Sequence, residues 1–188
     1  MTFPRFALRD LAIVAIALGA WWLAADHSRD TGPLADFTGF VAGLAVGATG
    51  FVLHEWGHLA GALASRSAVR PARRLGTPFI FHFDVRRNSL GQFLATSVGG
   101  FAATAAIVAA FHLYLPDDLL ASRIARGAAL FLAFLGVTLE LPLVAVALVR
   151  GRAPDAAAAE GPRRARAVAP AARPAEPAGA APAQQPSV

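Results

Sequence analysis

From Phe37 to Ala64 the chain reads FTGFVAGLAVGATGFVLHEWGHLAGALA, and the only charged side chain in that stretch is Glu55. A helix needs roughly 20 apolar residues to cross the hydrocarbon core of a bilayer, so this segment is long enough to tilt or to project past it. Three further apolar stretches flank it, at about Phe6–Ala25, Phe93–Leu115 and Gly127–Val149. The expected fold is all-α integral membrane, a bundle of about four transmembrane helices over residues 1–150.

The composition agrees with that reading. Of 188 residues, 56% are hydrophobic and 15% charged, and the mean hydropathy is +0.51, whereas a soluble domain carries about a quarter charged residues. There is no Cys, which excludes disulfide frameworks, thiolate metal sites and cysteine nucleophiles. The 38 residues from Gly151 to Val188 hold 15 Ala, 7 Pro and 5 Arg, with no Leu, Ile or aromatic side chain to build a core. A disordered Ala/Pro/Arg-rich cytoplasmic tail is expected there, serving as an extended linker, a weak lipid contact or a dispensable extension. In the first stretch Arg9 and Asp10 lie one turn in, and Trp21 and Trp22 close it like an interfacial belt. A cleaved signal peptide is the alternative for this span, with Ala24 and Ala25 as small residues at the cleavage site.

All 17 cationic side chains are Arg, and against 12 acids they leave a net charge of +5. Their placement sets an orientation, because cationic residues beside membrane spans stay on the cytoplasmic side. Arg5 and Arg9 precede the first span, Arg66, Arg70, Arg73, Arg74, Arg86 and Arg87 fill the loop after the second, and Arg150 and Arg152 follow the fourth. The loop from Asp26 to Asp36 has only Arg29, and Asp117 and Asp118 balance Arg123 and Arg126 in the next. Both termini are expected in the cytoplasm, in a bacterial-type plasma membrane. The basic character flanks membrane spans and contains no recognition module, so no nucleic-acid partner is expected.

Within the second span, His54-Glu55-Trp56-Gly57-His58 is an HExxH. Four residues apart on a helix, the two imidazoles share one face and can bind one Zn²⁺, while Glu55 can take the proton of a water molecule. Gly39, Gly43, Gly47, Gly50, Gly57 and Gly61 fall on the same arc of about 100° as the two His. Small residues at that spacing let membrane helices approach closely, so the His should face the bundle interior. The competing reading makes His54, Glu55 and His58 polar glue between helices. A carboxylate at mid-membrane costs about 2.5 to 3.5 kcal/mol on insertion scales, which favours a functional reason for it.

The second to fourth spans contain one other acid, Glu140, in Thr138-Leu139-Glu140-Leu141-Pro142. Counting inward from Arg66, His54 and His58 lie roughly 18 and 12 Å deep, and counting from Arg150, Glu140 lies roughly 15 Å deep. Pro142 removes a backbone donor and can re-aim Glu140, so two His, one carboxylate and an open position would complete a catalytic zinc set. Asp84 remains an alternative third ligand if its loop folds back into the bilayer. His27 and His112 lie near the opposite interface, and His82 lies in the basic loop. In the third span Gly99 and Gly100 lie at about the metal's depth. Thr104 could offer its hydroxyl to a substrate carbonyl or bond its own helix.

These features resemble the site-2 protease family of intramembrane zinc metalloproteases, over about Phe37 to Val149. The resemblance implies that His54 and His58 ligate zinc, that Glu55 activates water and that a carboxylate of the later helix, here Glu140, completes the site. The family usually has Leu-Asp-Gly where this chain reads Leu139-Glu140-Leu141. Its Gly-Pro-x-x-Asn segment corresponds to Gly100-Phe101-Ala102-Ala103-Thr104, which points to Gly100 and Thr104 as substrate-binding positions. Apolar residues alternate along Phe79-Ile80-Phe81-His82-Phe83-Asp84-Val85, as in a short strand. By the same resemblance that strand is a membrane-associated sheet edge able to hold an unwound substrate, and the other reading is an interfacial loop. The implied partners are a transmembrane protein substrate, the lipid bilayer and a second copy of the chain. Two other function classes stay open, a non-proteolytic membrane scaffold and a metal-binding or transport protein.

Overall fold

A computed structural model describes residues 3–26 and 32–154. His27 and the tail from Asp155 onward, where disorder is expected, lie outside the described residues. Helix α1 spans Phe3–Asp26, α2 Pro33–Ala64, α3 Leu90–Tyr114, α4 Leu120–Leu135 and α5 Leu141–Arg150. A π-helical turn, Gly136–Glu140, joins the last two into one continuous rod. The protein therefore has four helices long and apolar enough to cross a membrane, Phe3–Asp26, Pro33–Ala64, Leu90–Tyr114 and Leu120–Arg150. Large apolar side chains such as Leu11, Ile16, Leu44, Phe131 and Leu139 point outward, as they do where lipid replaces water around a bundle.

Helix α2 is the central element and packs against α1, α3 and α4. Its glycine face explains how. Near one end, a Cβ on Gly61 would lie 2.2 Å from the carbonyl oxygen of Ala95, and one on Gly99 would lie 2.2 Å from that of Gly57. Toward the other end, Gly43 and Gly47 meet Ala121, Ile124 and Ala128 of α4. The same bare stripe thus lies against α3 along one half and α4 along the other, with backbones in direct contact.

The fourth helix begins earlier than composition suggests, because Arg123 and Arg126 are helical rather than part of a loop. Arg126 turns back over the end of α3: its Nε donates to the Phe111 carbonyl at 3.0 Å, and its terminal nitrogens bond the Leu115 carbonyl and Asp117. A planar guanidinium reaches two carbonyls at the helix terminus, one of them already bonded to the Leu115 N–H, so the charge is used locally. Trp21 and Trp22 also part company. Trp22 is exposed, whereas Trp21 packs inward and its Nε1–H meets Ser122 Oγ at 3.3 Å.

Between α2 and α3 the chain forms a small antiparallel hairpin, β1 (Val69–Pro71) with β2 (Phe81–Phe83), in the register Val69↔Phe83, Arg70↔His82 and Pro71↔Phe81. The strand read between Phe79 and Val85 is shorter than its alternation, and its partner β1 carries no such pattern. Asn88 fixes the base of the hairpin by accepting from the Ala68 N–H at 2.6 Å and donating to the Ala68 carbonyl at 2.9 Å. Ser89 and Gln92 then start α3 with a reciprocal capping box. Phe6, Leu59, Ala72 and Ile80 form a buried cluster that presses the hairpin onto α1 and α2, with Trp56 beside it.

Candidate metal centre

His54 and His58 project from adjacent turns of α2, and Glu140 reaches them from the π-turn. The two Nε2 atoms are 3.0 Å apart. Glu140 Oε1 lies 3.0 Å from His54 Nε2, and its Oε2 lies 3.3 Å from His58 Nε2. These three residues form a group able to hold a metal ion. The π-turn accounts for Glu140's aim. The Leu141 N–H reaches back five residues to the Gly136 carbonyl, one more than in an α-helix, and Pro142 has no N–H with which to restore regular spacing.

The outer nitrogens of both rings are occupied. His58 Nδ1 donates to the Thr96 carbonyl at 2.9 Å. His54 Nδ1 lies 2.8 Å from Thr104 Oγ1 and 3.2 Å from the Gly100 carbonyl. A carbonyl can only accept, so each neutral ring carries its proton on Nδ1 and presents a lone pair at Nε2. With that tautomer two Nε2 lone pairs and a carboxylate converge within about hydrogen-bond distance, an arrangement that a metal ion or a shared proton can hold together. The bonds to the outer nitrogens are of the kind that orient metal-ligating imidazoles.

Glu55 is buried on α2 next to His54, and the backbone of Ile80 approaches its carboxylate. Gly100 and Thr104, expected as substrate-binding positions, lie against the imidazoles. A Cβ at Gly100 would come within 2.2 to 2.6 Å of three atoms of the His58 ring. Asp84 remains in the hairpin, where it accepts from the Arg86 N–H at 3.2 Å and lies 3.8 Å from Arg70. His82 is exposed there, and His112 bonds the Val108 carbonyl at the far end of α3.

Three contributors escaped the sequence reading. Thr96 and Ile80 act through backbone atoms, which leave no mark in a sequence. Asp10 accepts from Trp56 Nε1 at 2.8 Å, inside the HEWGH motif. Its signal was present, because an acid within an apolar helix is the same cue that singled out Glu55 and Glu140. No family model, no curated protein and no solved structure matches this chain.

Proposed function

We propose that this protein is an intramembrane zinc metalloprotease that hydrolyses peptide bonds in or near the transmembrane segments of other proteins. The observation that carries the reading is the convergence of His54 Nε2, His58 Nε2 and a Glu140 oxygen beside a buried Glu55. Ligand atoms bound to zinc at 2.0 to 2.1 Å with tetrahedral angles lie about 3.3 Å from one another. The separations of 3.0, 3.0 and 3.3 Å fit that requirement, and a divalent cation would balance the two neighbouring carboxylates. The resemblance of HEWGH and the later carboxylate to the site-2 protease family points the same way.

His54, His58 and Glu140 would hold the ion, leaving room for water and substrate. Zinc, when bound, polarises a carbonyl and makes water nucleophilic near neutral pH. Glu55 takes the proton of the attacking water and delivers it to the leaving amine, completing hydrolysis without a change in its own charge over the cycle. Thr96, Gly100 and Thr104 fix the imidazoles from behind. Substrate approaches past Glu140, the most open ligand, whose side chain is 31% exposed. The segment leading into β2 passes Glu55 at Ile80, and on this reading the outer edge of β2 is where an extended peptide would pair. Four helices long and apolar enough to cross a membrane support a bilayer location, and on this reading the Arg-rich hairpin and both termini lie in the cytoplasm of a bacterial-type cell.

Zinc content per chain in detergent-purified protein, together with cleavage of single-span membrane proteins, tests the proposal. Wild type should carry about one zinc, His54→Ala should lose it and Glu140→Ala should hold it weakly. Glu55→Gln should keep zinc and stop cleavage. Equal cleavage by wild type and Glu55→Gln removes the protease mechanism, and zinc carried with movement across liposomes instead assigns transport.

A further inference from the structure

The inner end of α1 makes contacts that neither metal binding nor membrane crossing requires. Asp10 is buried, its side chain only 4% exposed, although α1 is largely exposed elsewhere. Its Oδ2 accepts from Trp56 Nε1 at 2.8 Å, and its Oδ1 accepts from Arg9 Nε at 2.6 Å. Arg9 in turn stacks over Phe6 and donates through one terminal nitrogen to the carbonyls of Leu75 at 2.5 Å and Thr77 at 2.8 Å. Those carbonyls lie in the segment joining β1 to β2. Three residues further on, the Ile80 backbone lies beside the Glu55 carboxylate, and the Ile80 side chain is buried in the cluster with Phe6 and Leu59.

One carboxylate thus holds two things at once. Through Trp56 it fixes the residue next to Glu55 on the motif helix. Through Arg9 it fixes the hairpin segment that brings a backbone donor to Glu55 from the other side. An ionised acid in an apolar helix is costly, and burial of such a group against a hydrogen-bonded partner is a structural commitment. The Arg guanidinium supplies the fork that a strand-connecting loop with unpaired carbonyls needs.

We propose that Asp10 is a positioning residue of the catalytic site, setting the placement of Glu55 by clamping Trp56 and the β1–β2 connection to α1. The proposal rests on the metalloprotease reading for its catalytic consequence, but the clamp itself is read independently. It makes α1 a working part of the site.

The test uses the full chain in detergent with Asp10→Ala, Asp10→Asn and Trp56→Phe, and casein as an unfolded probe that needs no helix unwinding. Asp10→Ala is expected to keep about one zinc per chain, since no ligand is touched, while kcat falls about tenfold and KM stays within about twofold. Asp10→Asn keeps one oxygen to accept from Trp56 but turns an amide donor toward Arg9 Nε, so it should recover only part of that loss, and Trp56→Phe, which keeps the Arg9 arm, should also fall between Asp10→Ala and wild type. Hydrogen exchange at the amides of Leu75 to Ile80 should accelerate in Asp10→Ala and in Asp10→Asn, both of which lose the pairing with Arg9, and stay slow in Trp56→Phe. Wild-type kcat in Asp10→Ala, or unchanged exchange across Leu75 to Ile80, overturns the proposal. Should wild type bind zinc but leave casein and membrane substrates intact, the protease reading fails by itself and the exchange measurement still decides the clamp.

Discussion

At Gly100 an added Cβ would meet the His58 ring at 2.2 to 2.6 Å, and His58 is held on its other side by the Thr96 carbonyl. The ring has nowhere to retreat. Gly100→Ala should therefore purify with most of its zinc lost while α-helical content by circular dichroism stays near wild type. Thr104→Val removes the hydroxyl 2.8 Å from His54 Nδ1 but keeps the Gly100 carbonyl, so a smaller effect follows. Zinc affinity should fall about tenfold, the lower end of what loss of a partner behind a ligating His costs, and competition with a chelator would measure it. These residues mark how far a sequence can be read at this scale. His54, Glu55 and His58 are legible because helical spacing is local, and Glu140 because depth can be counted from two ends. Thr96 and Gly100 contribute carbonyls, which every residue possesses, so only the packing of α3 on α2 selects them.

Among the elements, the π-turn at Gly136–Glu140 has the most specific expected consequence. Pro142 leaves the preceding carbonyls without a regular partner, and the wider turn lets Glu140 face His54 and His58. Pro142→Ala restores an N–H and permits an α-helical bond to Thr138, turning Glu140 away by up to about 100°. The variant should span the membrane as well as wild type, since Ala favours helix, yet bind zinc at least about tenfold more weakly, like a weakened Glu140→Ala. Wild-type zinc affinity in Pro142→Ala would mean that packing, and not the proline, sets the turn. Sequence reading found Pro142's effect because a missing donor is a property of one residue. It misplaced the start of α4 because Arg126 counts as loop by composition and becomes helical only by reaching the end of α3. It missed β1 for a related reason: Val69–Pro71 has no alternation of its own and is a strand only through its pairing with Phe81–Phe83.

For the whole molecule, composition alone separates the apolar body from the tail, and the lengths of the four helices follow from their apolar runs. The Arg distribution predicts the side on which each loop lies, and the absence of Cys allows a direct check. Gly76 and Asp118 are both exposed, in the hairpin and in the connection between α3 and α4. In intact cells an impermeant thiol reagent should label Asp118→Cys and spare Gly76→Cys, and opening the membrane should expose both; the reverse pattern would invert the orientation. Packing order along the chain is less legible, because the glycine stripe of α2 does not say which neighbour takes which half. That arrangement also bears on how the protein is made. His54 and Glu140 are 86 residues apart, and at synthesis rates of about 5 to 20 residues per second the His pair exists for roughly 4 to 17 s before its carboxylate is added. During that interval the nascent chain has two members of the candidate group and no third, so on the proposed reading full zinc affinity, and with it any peptide hydrolysis, should arise only after the last helix is in place.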